Sequence, residues 1–115
     1  AIVFVTHSLG VVAGTCDRVL VMYAGRVVEA ATTARLFETP MHPYTRGLLA
    51  SVPSLTGDPH ARLRSIPGSP PDPSRTGTGC AFAPRCSQPI EVCTAVTPEL
   101  GQTPRRALRC HNPVR

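Results

Sequence analysis

The sequence predicts an α/β fold in its first part, followed by an irregular extension rich in proline and cysteine. Three observations predict this. Residues 1–29 read as an apolar strand, a helix and a tight hairpin. All thirteen prolines lie at or beyond Pro40, and four of the five cysteines fall in the last third. The expected division is therefore 1–39 for the end of an α/β core and 40–115 for the extension.

Ala1-Ile2-Val3-Phe4-Val5 has no polar residue on either face, which suits a strand buried on both sides of a mostly parallel sheet. The run stops at Thr6-His7-Ser8. Ser8 can cap a helix whose apolar residues are Leu9, Val12, Ala13 and Cys16. His7 then lies just past the carboxyl end of a core strand, where ligands bind in open α/β sheets. Val19–Tyr23 and Arg26–Glu29 read as two strands joined by Ala24-Gly25, a tight hairpin with Gly supplying a positive φ. A short helix follows to Glu38, capped by Thr32 or Thr33 and closed by Pro40, with Leu36 and Phe37 folding back on the sheet.

Pro43 suits the first turn of a further helix, where its missing N–H would be unpaired anyway. Tyr44, Leu48 and Leu49 supply its buried stripe, and His42 reads as a helix-start residue with a surface hydrogen bond. Ile66-Pro67-Gly68-Ser69-Pro70-Pro71-Asp72 is a proline-stiffened, extended connector without a catalytic group.

The net charge is +5, and every cation is Arg, because the sequence has no Lys. A Walker A loop needs a Lys on the β and γ phosphates, so none exists here, and no GxGxxG occurs either. No apolar run is long enough to span a bilayer, and no signal segment opens the chain. Only Arg105, Arg106 and Arg109 cluster, with no aromatic platform between them, so a solvated basic face is expected rather than a nucleic-acid site. A chain that opens inside an apolar strand is expected to be the C-terminal piece of a longer protein. Alone, that strand would lack neighbours and expose an edge.

Cys80, Cys86, Cys93 and Cys110 are spaced C-x5-C-x6-C-x16-C in a segment with few large apolar residues. Such a segment needs a staple. Two disulfides fit the even count, although nothing indicates an oxidising compartment. Zinc accepts four thiolates but prefers close pairs. An iron–sulfur cluster also takes four thiolates, with varied spacing. Spacing alone leaves the three open. Cys16 is expected to act as a small buried hydrophobe. Pairing it with His7 as a hydrolase lacks any oxyanion or orienting group.

Val5-Thr6-His7-Ser8-Leu9-Gly10-Val11-Val12, followed by Asp17-Arg18-Val19-Leu20-Val21-Met22-Tyr23-Ala24-Gly25-Arg26-Val27-Val28-Glu29, resembles ATP-binding subunits of ABC transporters. The likeness is to the part after the Walker B strand of that P-loop NTPase-type core. His42-Pro43-Tyr44-Thr45-Arg46, Leu48-Leu49-Ala50-Ser51-Val52-Pro53 and the Ile66–Asp72 connector narrow it to the C-terminal extension of oligopeptide, dipeptide and nickel importers.

The resemblance implies that His7 is the switch histidine that contacts the γ-phosphate of ATP. Mg²⁺ and the rest of the nucleotide would be held by residues outside this chain, which supplies only the histidine and alone should be inactive. Some members carry a [4Fe-4S] cluster in this extension, and Gly79-Cys80-Ala81-Phe82-Ala83-Pro84-Arg85-Cys86, Cys93 and Arg109-Cys110-His111 match that context.

The implied partners are a second ATPase subunit, in a homo- or heterodimer, and transmembrane permease subunits, with an extracytoplasmic solute-binding protein acting indirectly. The implied location is the cytoplasmic face of the plasma membrane. The alternative is a stand-alone four-cysteine metal or iron–sulfur module without ATPase activity.

Overall fold

The computed structural model describes residues 1–52, 65–72 and 77–115. Its sheet is built on the hairpin of β1 (Arg18–Tyr23) and β2 (Arg26–Thr32). Ala24 and Gly25 hold φ of 47° and 74°. Two positive φ values in a two-residue loop give the type I′ turn, whose twist matches that of the strands. β1 alternates exposed and buried residues, turning Val19, Val21 and Tyr23 inward, so only one of its faces meets the core.

β2 behaves differently and buries Val28, Glu29, Ala30 and Ala31 in succession. The register shifts opposite Val21 and Met22, which pair with Glu29 and Val27, so Val28 is the extra residue of a bulge. The far edge of β2 is covered by β4 (Arg106–Leu108), which pairs in turn with β3 (Gly101–Thr103). The order is β1-β2-β4-β3, and every pairing is antiparallel.

This corrects the expectation of a mostly parallel sheet. The run Ala1–Val5 forms no strand, and Ile2, Val3 and Val5 are each more than nine-tenths exposed. An apolar run signals a need for burial, but a strand also needs neighbours to take its N–H and C=O groups. Among the described residues no strand pairs with it.

Ser8 stands at the cap of α1 (Leu9–Thr15) without a side-chain bond to it, and Val12 is the buried residue of that helix. α2 (Thr33–Glu38) buries Leu36 completely, and its Thr33 hydroxyl donates to the Cys16 carbonyl. α3 (Pro43–Ala50) starts with Pro43 in its first turn. Tyr44 and Leu48 pack partly buried against the core, as expected. Pro53, the end of the extension's helical string, lies outside the described residues. Ile66–Asp72 has no regular secondary structure, as its prolines require. Among the described residues no helix is long and apolar enough to cross a membrane.

The core joins Val12, Val19, Val21, Tyr23, Val28, Ala31 and Leu36 to Phe82 from the cysteine segment. The Phe82 ring meets Tyr23 edge-on at 5.1 Å and Tyr44 at 5.3 Å, while the two tyrosines stand 4.7 Å apart. Such offset pairs add about 0.5–1.5 kcal/mol each beyond area burial. Arg85 reinforces the join, donating to the carbonyls of Pro67 at 2.8 Å and Ile66 at 3.3 Å.

The second join is polar. Glu29 is fully buried on β2. Its carboxylate accepts from the Met41 N–H at 3.0 Å, the His42 N–H at 2.9 Å and Arg106 Nη1 at 2.5 Å. The Arg106 guanidinium also donates to the Thr39 carbonyl at 2.6 Å and the Thr39 hydroxyl at 3.0 Å. One ion pair thus fixes β2, the end of α2, the start of α3 and β4. The basic cluster is therefore not a solvated face. Arg106 is withdrawn into this pair, and Arg109 donates to the carbonyls of Val27 at 3.1 Å and Pro98 at 2.9 Å. Arg105 alone of the three is exposed.

Arg106→Leu strands a buried carboxylate and is expected to cost about 3–5 kcal/mol. Urea unfolding checks this, and a wild-type midpoint would refute it. Arg106→Lys should recover only part, because a single ammonium cannot serve Glu29 and Thr39 with the same fork.

His42 gives a pH dependence. Burial lowers its pKa from 6.5 to about 4, against opposing contributions from Glu29 and the Arg109 backbone. The unfolded chain therefore takes up a proton that the folded chain refuses. Stability is expected to fall as pH drops from about 6.5 to about 4, by at most about 3 kcal/mol. A His42→Asn variant should show a shallower slope across that window, and an unchanged slope would refute the assignment.

Candidate functional site

The four cysteines of the extension reach one place by short-range geometry. Cys80 donates its N–H to the Cys93 carbonyl at 2.7 Å, locking the first thiol beside α4 (Val92–Ala95). Gly79 makes that contact possible. It holds φ 97°, and a Cβ there would sit 2.6 Å from the Thr94 carbonyl oxygen and 2.7 Å from that of Cys93. Only glycine is compatible with both the conformation and the approach. A 3-10 turn, Ala83–Arg85, carries the chain back, with the Cys86 N–H closing on the Ala83 carbonyl at 3.2 Å.

Cys110 arrives from the other direction, at the end of β4. The Arg109 N–H bonds the Val28 carbonyl at 2.8 Å and continues the ladder to the residue before it. Gln88 and Asn112, which both line the site, exchange side-chain-to-carbonyl hydrogen bonds, each 3.0 Å. The His111 ring is taken by the Val96 carbonyl at 2.9 Å. The Val114 N–H bonds the Met41 carbonyl at 2.8 Å and returns the end of the chain to the start of α3.

Cys80, Cys86, Cys93 and Cys110 line a single small cavity of about 10 Å³, together with His42 and Phe82. That is about the space of one water. All five cysteines are free thiols, and no disulfide links the four. Among the described residues no three His, Cys, Asp or Glu side chains converge closely enough to hold a single metal ion.

Burial pushes the Cys110 thiol up to about 11, with the other three cysteines opposing its ionisation and the Asn112 backbone favouring it. Burial likewise raises Cys86, with smaller contributions from Cys93 and Cys80. The mutual effect places four thiols within electrostatic reach. Cys86 and Cys110, whose thiols burial keeps protonated, are therefore poor nucleophiles, since reactivity belongs to the thiolate.

His42 was legible as a helix-start residue, but its bond is not at the surface. The side chain is 1% exposed. Its Nδ1 accepts from the Tyr44 N–H at 3.1 Å, so it does cap α3. The opposite ring nitrogen, Nε2, is buried without a hydrogen-bond partner. The His-Pro step before a helix signals a cap, but nothing local signals that the ring faces four thiols supplied from far along the chain.

His7 lies in a different place. It is exposed, on a bend before α1, and lines neither that cavity nor the larger cleft beside the hairpin turn. The strand expected to present it is not formed. Cys16 ends α1 and packs partly buried against the core, as a small apolar residue should.

Residues 28–93 match the family described as "Oligopeptide/dipeptide transporter, C-terminal region". The chain is 46% identical to the oligopeptide transport ATP-binding protein OppD of Salmonella typhimurium over 114 residues, which is 99% of this chain and 34% of the relative. The Escherichia coli OppD gives the same identity and coverage. A probable peptide ABC transporter ATP-binding protein of Sinorhizobium fredii is 49% identical over 111 residues, 96% of this chain and 33% of the relative. The chain thus spans about a third of the length of the curated relatives it matches. With the family's match covering more than half of its length, the chain belongs to the oligopeptide/dipeptide transporter C-terminal region family, found in ABC-transporter ATP-binding subunits.

Proposed function

We propose that this chain is part of the ATP-binding subunit of an importer of oligopeptides or dipeptides, and that it couples ATP hydrolysis to transport. The observation that carries this reading is its match, nearly end to end, to proteins named for oligopeptide transport and ATP binding. The nucleotide would be ATP with Mg²⁺, held mainly by residues outside this chain. The partners would be a second ATPase subunit and the membrane permeases, which places the protein peripherally on the cytoplasmic face of the membrane. Residues 1–39 would belong to the ATPase core and 40–115 to the importer-type extension.

Within that reading His7 is the switch histidine. An imidazole there can hydrogen-bond the γ-phosphate and the attacking water, and so report nucleotide state to the opposing subunit. Exposure of the ring supports this, because an open side chain can meet a ligand held by another part of the protein. His7→Ala in the intact protein is expected to abolish or severely lower hydrolysis while ATP still binds. Normal turnover would overturn the role.

Cys80, Cys86, Cys93 and Cys110 would hold a [4Fe-4S] cluster. Two features of the site support it. Four thiols and no carboxylate line the cavity, as iron–sulfur ligation requires. A buried donor there, His42 Nε2, lacks an acceptor. The cluster would supply a structural staple to a lobe with little core of its own. Protein isolated without oxygen should contain iron and sulfide in equal amounts, and Cys110→Ala should lose both. Zinc alone, or neither metal nor sulfide in active protein, would overturn the assignment.

A further inference from the structure

His42 is not one of the four thiol ligands. It sits outside the cysteine segment, at the start of α3, and only one of its two ring nitrogens is hydrogen-bonded. Nδ1 accepts from the Tyr44 N–H. A ring nitrogen that accepts carries no proton, so in the neutral imidazole the proton is on Nε2. That N–H donor is fully buried and has no partner. Buried donors without acceptors are rare and costly in folded proteins.

The ring carrying it lines the same cavity as the four thiols. After the Glu29 carboxylate, the polar group that acts on the ring is the Arg109 backbone, immediately before Cys110, but Nε2 completes no hydrogen bond with it. The backbone on the other side of His42 is equally fixed, since its N–H is bonded to the buried Glu29 carboxylate at 2.9 Å. Phe82 flanks the ring at 5.8 Å. The imidazole therefore has little freedom to turn elsewhere.

We propose that His42 donates an Nε2–H hydrogen bond to a sulfur of the iron–sulfur group bound by Cys80, Cys86, Cys93 and Cys110. The inference rests on the cluster reading above and adds a positioning residue to it. An acceptor that carries negative charge and arrives only with the bound group accounts for the orphaned donor. Hydrogen bonds to the sulfurs are among the features that set the potential of such a cluster. A donor stabilises the more negative, reduced form, so His42 raises the potential and shields the sulfurs. The same residue caps α3 and is bonded to Glu29, so the cluster is tied to the sheet and not only to its own loop.

Two variants of the intact protein, purified and reconstituted with iron and sulfide without oxygen, separate this from a purely structural role. His42→Asn keeps an acceptor at the Nδ1 position for the Tyr44 N–H and leaves no N–H at the Nε2 position. His42→Gln places an amide N–H near the Nε2 position and weakens the cap. Redox titration and the rate at which the visible cluster absorbance bleaches in air are the readouts, alongside iron content and melting temperature.

The expected result is a lower potential and several-fold faster bleaching in His42→Asn, with behaviour close to wild type in His42→Gln despite its lower melting temperature. If both variants instead follow their melting temperatures, or if both match wild type, the hydrogen bond is overturned while the cluster stands. Wild-type protein that binds no iron–sulfur group under these conditions overturns the cluster reading, and the proposed bond with it.

Discussion

The buried pair of Glu29 and Arg106 is the interaction on which the arrangement depends. A carboxylate with no solvent access must be neutralised and fully hydrogen-bonded, or its desolvation outweighs everything it touches. Glu29 meets that demand with one guanidinium and two main-chain N–H groups. Its donors come from the start of α3 and from β4, and the same guanidinium reaches back to the end of α2. None of these can shift without stranding a charge. The bulge at Val28 is part of the same arrangement, because it accompanies a run in which Glu29 is buried beside apolar neighbours on the central strand.

The cysteine lobe depends on that pair for its footing and on aromatic packing for its seat. It has only short helices and few large apolar side chains of its own. Phe82 supplies the missing burial by entering a core built by α1, β1, β2 and α2, against which α3 packs. β4 supplies the missing backbone partners by joining β2. The thiols are thereby gathered against a sheet already made rigid by the hairpin. A bound cluster would complete a lobe whose position is set from outside it.

The parts legible in the sequence are those fixed by neighbouring residues. Ala24-Gly25 between two β-branched runs specifies its own turn, and Pro43 after His42 specifies a helix start. Pro40 closes α2 for the same local reason. The failures share a different cause. Ala1–Val5 has the pattern of a buried strand, but periodicity cannot say whether partner strands lie within reach. β3 and β4 are three residues each and carry no pattern long enough to detect. Arg106 looks like part of a basic surface because its partner is seventy-seven residues away. The four cysteines stand out by their type and spacing, whereas His42 beside them does not. Its place at the site comes from α3 and Glu29, not from any motif it shares with the thiols.

The sheet and the cysteine lobe are thus expected to open as one cooperative unit joined through Glu29. Native-state hydrogen exchange tests it most directly, read at the amides of Met41, His42 and Arg109. The first two are bonded to Glu29 and the third to β2. All three should exchange slowly, with one common opening free energy shared by β2. Fast exchange at Arg109 with continued protection at Met41 and His42 would contradict it, because the lobe would then open while the rest of the sheet stayed closed.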